Sequence, residues 1–215
     1  MFYSTVDNVK LSWEGYQYWK NWQDYLGEKD ERGMASLTET GGLILESNAT
    51  RDFLQKCVPC LEHVRVPFER LHRQEVQDRF GTPLGLDLTC YGPPKRIEDE
   101  LFGVPNEQDE ITGGIYIPTT GYISDPQLAT LNLQVAAEAT GRAQFRFQST
   151  VTSVNRSNHR VAGITLHDGT RWEAPIVVNA AGPSSNQITN LAFGEYGDND
   201  MNLTTRPLRQ EVAFV

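Results

Sequence analysis

The sequence predicts a mixed fold of the α+β kind, and three observations carry that prediction. Asp125, Pro126 and Gly141 bracket one helix: an N-cap, a proline at the first helical position and a glycine just past the end. Beyond it, apolar residues stop following a helical period and alternate, over 143–147, 150–156 and 160–167. Finally, Pro175-Ile176-Val177-Val178-Asn179-Ala180-Ala181-Gly182 is an apolar run ending in small residues, the pattern of a strand buried on both faces.

Composition sets the frame. The chain has 215 residues, 39% hydrophobic and 22% charged, which excludes a disordered, collagen-like or coiled-coil chain. A chain of this length can bury about 70% of its unfolded surface. Nineteen basic against 28 acidic residues give a net charge of −9, and no Lys/Arg run offers a nucleic-acid face. No apolar run approaches the roughly 18 residues of a membrane helix. The N-terminal MFYSTVDNVKLSWEG has neither the basic start nor the apolar stretch of a signal peptide, so a cytoplasmic location is expected.

In chain order, Leu11–Leu26 places aromatic residues at approximate helical spacing (Tyr16, Trp19, Trp22) and predicts an amphipathic helix ending near Gly27. Its Trp/Tyr face reads as core packing. Thr40 to Glu46 is a short apolar strand after a glycine pair. Arg51 to Cys60 is helical as far as Pro59, Val66 to Leu71 is extended, and His72 to Phe80 is a short helix stopped by Gly81. Residues 81–110, rich in Pro, Gly and acids, are loop. Ile111 to Pro118 resumes as a strand, followed by a turn at Gly121 and the capped helix. Asp168-Gly169 predicts a type I′ turn pairing 160–167 with 170–173. Asn179 to Gly182 then lets a backbone approach another group closely, although a bare strand-to-helix turn satisfies the same pattern.

Other features carry less chemistry. Cys57-Val58-Pro59-Cys60 has C-x-x-C spacing, but a zinc site needs two further ligands and no second C-x-x-C exists. A redox dithiol would follow a strand and open a helix, whereas this pair closes a helical stretch. It reads as ordinary thiols, and no metal is expected. There is no G-x-S-x-G, no phosphate-binding G-x-x-x-x-G-K-[ST] and no G-x-G-x-x-G.

Several blocks together are more specific. Val177-Val178-Asn179-Ala180-Ala181-Gly182-Pro183-Ser184-Ser185 resembles the V-V-N-A-A-G-x-W/S-S motif of the FAD-dependent amine oxidoreductases, the family of D-amino-acid oxidase, sarcosine oxidase and glycine oxidase. Thr40-Gly41-Gly42-Leu43 resembles its T-G-G-L strand. Gly113-Gly114-Ile115-Tyr116 with Gly121-Tyr122-Ile123-Ser124-Asp125-Pro126 resembles its G-G-x-x-x-P and G-x-V-D-P segments. Thr150-Val151-Thr152-Ser153-Val154 resembles the strand whose start meets the adenine end of FAD, and Arg206-Pro207-Leu208-Arg209-Gln210 its R-P-x-R-G/Q segment. The five blocks stand in family order over residues 35–215.

The resemblance implies FAD as cofactor, with Thr150 and Val151 at the adenine side and Asn179, Ala180, Ala181 and Gly182 beside the ribityl–pyrophosphate stretch. It implies Tyr116, Tyr122 and Arg206 for the substrate side; the catalytic residue is unknown. The reaction implied is hydride transfer from a C–H beside nitrogen of a small amine or amino acid to the flavin, the imine then hydrolysing. The domains implied are substrate-domain helices and strands over 1–110, the central β-α-β and β-meander part of the FAD-binding domain over 111–190, and a return strand over 191–215. The family's N-terminal G-x-G-x-x-G unit and C-terminal section have no counterpart here. With strand-like alternation still running at Val215, that predicts an internal piece whose partners include the missing parts of the same polypeptide. Two alternatives remain open: a non-catalytic binding module of this fold, and a flavin-dependent oxidase of 2-hydroxy acids or glycerol-3-phosphate.

Overall fold

The computed structural model describes residues 1–81, 83, 85–92 and 95–194. The chain divides into two units, Met1–Gln144 and Phe145–Val215.

The first unit is built on three antiparallel strands, β2 (Gly42–Glu46), β3 (Glu69–His72) and β4 (Gly113–Ile117), in the order β2-β4-β3. Alternation along the strands separates two faces. Ile44, Ile115 and Ile117 pack on helix α3 (Asn48–Val64) through Leu54, Cys57, Val58 and Leu61, joined by Val9 of α1 (Val6–Lys20). On the opposite face, Leu43, Leu45, Leu71 and Tyr116 meet Val76 of the short helix α4 (Arg73–Val76) and Phe80 of the π-helical turn Gln77–Gly81. Each fully buried Leu or Ile contributes roughly 1.5–3 kcal/mol by leaving water.

A smaller ribbon pairs β1 (Leu37–Glu39) with β5 (Gly121–Ile123), with Leu37 opposite Ile123. Beside it, Trp22 of α2 (Trp22–Leu26) packs with Ala35 and with Ala129 of α5 (Pro126–Ala139). The predicted N-terminal helix is therefore two helices, because Asn21 leaves helical geometry (φ −121°, ψ 41°). The carboxylate of Asp125 accepts from the N–H groups of Gln127 and Leu128, both at 2.9 Å, so the predicted cap is formed.

Pro59 does not end α3, which runs on to Val64. The loss of one N–H is outweighed by Cys60 and Leu61, both buried in the next turn. The helix stops at Arg65, which is left-handed (φ 63°).

Asn132 of α5 joins three elements and is 2% exposed. Its Oδ1 accepts from Trp22 Nε1 (3.3 Å) and Ala35 N (2.9 Å), while its Nδ2 donates to Asp30 Oδ2 and Gly33 O (both 3.0 Å). Asp30 also receives Arg32 through Nε and Nη2, each at 2.9 Å. The Arg32 side chain and backbone N–H, aided by Asn132, hold the Asp30 carboxyl well below the usual carboxylate range. A depressed carboxyl stabilises the fold above its unfolded value and loses that contribution as pH falls. Acid titration of the wild-type chain below about pH 4 should therefore lower its melting temperature more steeply than that of Asp30→Asn. Parallel curves for the two proteins would remove Asp30 from the acid response.

The second unit is an antiparallel meander, β6 (Val151–Ser157), β7 (Arg160–Leu166) and β8 (Arg171–Glu173), with helix α6 (Ser185–Phe193) packed against β6. Two hairpin turns connect it, and the type I′ signature falls on the other one. Asn158 and His159 both have positive φ (50° and 61°), as a two-residue I′ turn requires. At Asp168-Gly169 only Gly169 is positive (φ 82°), and the Asp168 carboxylate accepts from Thr170 N at 2.9 Å. That is a longer loop with one left-handed residue.

Two predicted strands are not formed. Residues 143–147 and 175–180 belong to none of the three sheets. The expected β-α-β and buried parallel strand are thus absent among the described residues, because neither segment has a neighbour whose N–H and C=O groups it can pair with. Their apolar side chains stay in solvent: Phe147 is 67% exposed, Ile176 77% and Val178 82%. The strand and helix between 111 and 141 pack with N-terminal elements, within the unit that ends at Gln144. Arg206 and most of the return segment 191–215 lie outside the described residues.

Candidate cofactor and substrate site

Asn179 organises the turn that follows the unpaired segment. Its Nδ2 donates to Ser185 O at 2.8 Å, and its Oδ1 accepts from Ala181 N at 3.2 Å. Ser185 Oγ donates to Gly182 O at 2.7 Å, and Ser184 N donates to Ala181 O at 3.0 Å. Gly182 has φ 53°, a conformation side chains rarely adopt, and it starts the 3-10 turn Gly182–Ser184 that feeds α6. An added Cβ at Gly182 would meet nothing within 4 Å, so the glycine serves the backbone turn and keeps open space beside it. Ala180, Ala181 and Gly182 are exposed, and the Ser184 N-cap makes no side-chain bond to the first turn of α6. The sequence therefore forms a fixed, small-residue edge in front of a helix start without a side-chain cap, whose first N–H, that of Ser185, donates to Gly182 O.

Thr150 precedes β6 and Val151 begins it. Thr150 O accepts from His167 N at 2.9 Å, and Val151 stands opposite Leu166. Arg156, near the far end of β6, donates to Ala192 O at 3.4 Å and lies 5.2 Å from the Phe193 ring centroid. The C-terminal ends of β6 and α6 are thus joined.

The two tyrosines stand on different sheets. Tyr116 in β4 is half-buried, its ring 5.3 Å from Phe80 and 4.2 Å from the guanidinium of Arg79. Glu69 holds that guanidinium through Nη1 at 2.7 Å. Tyr122 in β5 is exposed. Sequence reasoning missed Arg79, because its nearness to Tyr116 depends on a π-helical turn folding over a sheet. Cys57 and Cys60 are core residues of α3, and burial pushes the Cys57 thiol up, away from the reactive thiolate.

The family model for FAD dependent oxidoreductases matches residues 2–215. The chain belongs to the DAO family. Members of the DAO family are FAD-dependent enzymes. Among solved structures, the chain is similar to L-proline dehydrogenase from P. horikoshii at 21% identity, with a TM-score of 0.63 over 88% of this chain and 42% of that one. It is similar to glycine oxidase from Geobacillus kaustophilus at 18% identity, with a TM-score of 0.59 over 88% and 44%. NikD, described as an unusual amino acid oxidase, is similar at 20% identity, with a TM-score of 0.52 over 87% and 40%. No curated protein matches. The DAO-family chain described here thus spans less than half the length of these neighbours, and at such identities they show the fold. No described helix is long and apolar enough to cross a membrane.

Proposed function

We propose that this DAO-family chain is the central part of a flavoenzyme that oxidises a C–N bond of an amino acid or N-methyl amino acid. The observation that carries the reading is the turn Asn179–Gly182, a small-residue edge pinned by one side chain and leading into an uncapped helix. Such an edge admits a bulky cofactor to backbone distance, and the positive N-terminal end of the α6 dipole favours its negative phosphates. Thr150 and Val151 take the adenine side. Arg156 ties the end of β6 to the end of α6, so both candidate segments lead into one packed strand–helix pair, which supports a shared cofactor role. FAD, when bound, supplies the acceptor for the hydride leaving the carbon beside the substrate nitrogen. The chain's own residues bind and orient: Asn179 keeps the turn in shape, and Tyr116 and Tyr122 provide ring and hydroxyl surface on the substrate side.

The exposed Phe147, Ile176 and Val178 support the further reading that residues 143–147 and 175–180 become strands when the rest of a longer polypeptide supplies their neighbours. The test uses the longest natural polypeptide that contains this segment. Flavin absorbance released on denaturation should be stoichiometric. Ala181→Leu should weaken FAD binding at least about tenfold, since its branched side chain fills the approach. A complete polypeptide that neither copurifies with nor takes up FAD would favour the non-catalytic module and overturn the enzyme reading.

A further inference from the structure

An open cavity of about 230 Å³ lies between α3 and the three-stranded sheet. In β4, Ile115 stands opposite Ile44 of β2 and Arg70 of β3, so these three side chains share the face that α3 covers. Tyr116, the next residue, turns to the other face. The floor of the cavity is Leu54 and Val58 of α3 with Ile115, none of them more than 5% exposed. The volume lies below the roughly 300–1,000 Å³ of pockets for drug-sized ligands, so the space suits a small molecule and not a dinucleotide.

Charged groups of both signs line the walls. Arg51 and Glu62 come from α3, Glu46 from β2 and Arg70 from β3. Among the described residues the ion pairs use Arg32, Arg79 and Arg146, so neither Arg51 nor Arg70 has a carboxylate within salt-bridge distance. A guanidinium left without an ion-pair partner beside an apolar floor offers its fork to an incoming carboxylate. A further polar feature comes from α3 itself. Pro59 carries no N–H for the carbonyl of Gln55, its partner in an unbroken helix, and both residues line the cavity. Two arginines against two glutamates leave the lining without net charge. That balance disfavours a plain anion or a plain cation and favours a molecule that carries one charge of each sign.

We propose that this cavity is a ligand site for a small zwitterion with an apolar tail, an aliphatic α-amino acid being the simplest form. Arg51 and Arg70 take its carboxylate. Glu46, Glu62 and the Gln55 carbonyl take its ammonium, and its side chain rests on Leu54, Val58 and Ile115. The cavity lies on the face of the sheet opposite Tyr116 and contains none of the residues proposed for cofactor or substrate. It is therefore a second site, and it stands or falls independently of them.

L-Leucine titrated into the full chain by calorimetry tests this, beside isocaproate and isoamylamine, which keep the tail and lack the ammonium or the carboxylate. Saturable binding of leucine is expected, with each analogue at least about tenfold weaker. Arg51→Gln/Arg70→Gln should weaken leucine at least about tenfold, to the level of isoamylamine. Glu46→Gln/Glu62→Gln should bring leucine down to the level of isocaproate. Tyr122→Ala, on the separate β1-β5 ribbon, should leave leucine binding unchanged. None of these changes touches a buried apolar group, so the variants should melt as the parent does. No saturable binding of leucine would overturn the proposal, as would either analogue binding as tightly as leucine. Leucine affinity kept in the arginine variant, or lost in Tyr122→Ala, would place the ligand outside this cavity and overturn it likewise.

Discussion

Asn132→Leu should lower the unfolding free energy by about 3–5 kcal/mol, read by urea denaturation. Leucine nearly matches the shape of asparagine, so packing changes little and the loss is polar. Trp22 Nε1 and Ala35 N both donate to Asn132 Oδ1, and in the variant neither retains that acceptor. Each buried donor left unpaired costs about 1–3 kcal/mol. The opposite half of the amide decides a second variant. Asn132→Asp keeps an acceptor for Trp22 and Ala35 but sets a carboxylate where Nδ2 now donates to Asp30 Oδ2 at 3.0 Å. Two carboxylates cannot both ionise cheaply at that separation, so this variant should regain stability as pH falls toward 4, a range in which the parent still keeps the contribution of Asp30. A change below about 1 kcal/mol for Asn132→Leu would mean that water satisfies the freed donors and that the network does not hold the loop to α5.

Gly41→Val should destabilise by about 3 kcal/mol or more, from two separate causes. Gly41 has φ 76°, which a β-branched residue adopts only with strain. A side chain there would also run into the hydroxyl and ring of Tyr116. The ring cannot yield freely, since Phe80 and Arg79 pack on it. The causes separate in a cycle of Gly41→Ala with Tyr116→Ala. The collision vanishes in the Tyr116→Ala background and the backbone strain remains. Coupling of about 1 kcal/mol or more is expected, and strict additivity would leave only the strain.

Legibility in the sequence followed the range of the forces involved. The cap of α5 is carried by Asp125 and Pro126 within one turn of the atoms they serve, and it forms as read. The glycine pair at the start of β2 is readable as a strand start, but the reason for Gly41, the nearness of Tyr116, lies far along the chain. Pro59 does not stop the helix because the burial of Cys60 and Leu61, which the local sequence does not reveal, outweighs the lost N–H. The I′ turn was assigned to Asp168-Gly169 because the dipeptide suits it, whereas Asn158-His159 takes the geometry since β6 and β7 are paired up to Ser157 and Arg160. Of the site, the small residues 179–182 were evident, while the bonds that pin them to Ser185 were not.

The sequence by itself determined the capped helix, the hairpin-rich second half and, through ordered motifs, the flavoprotein family. These rest on contacts between residues close in the chain or on the identity of the residues themselves. Only the tertiary structure decided that β4 lies between β2 and β3, that Arg79 covers Tyr116, and that 143–147 and 175–180 stand unpaired. An alternating apolar pattern shows that a segment is suited to a sheet. A strand exists only where another backbone meets its N–H and C=O groups, and that partner is not encoded in the segment.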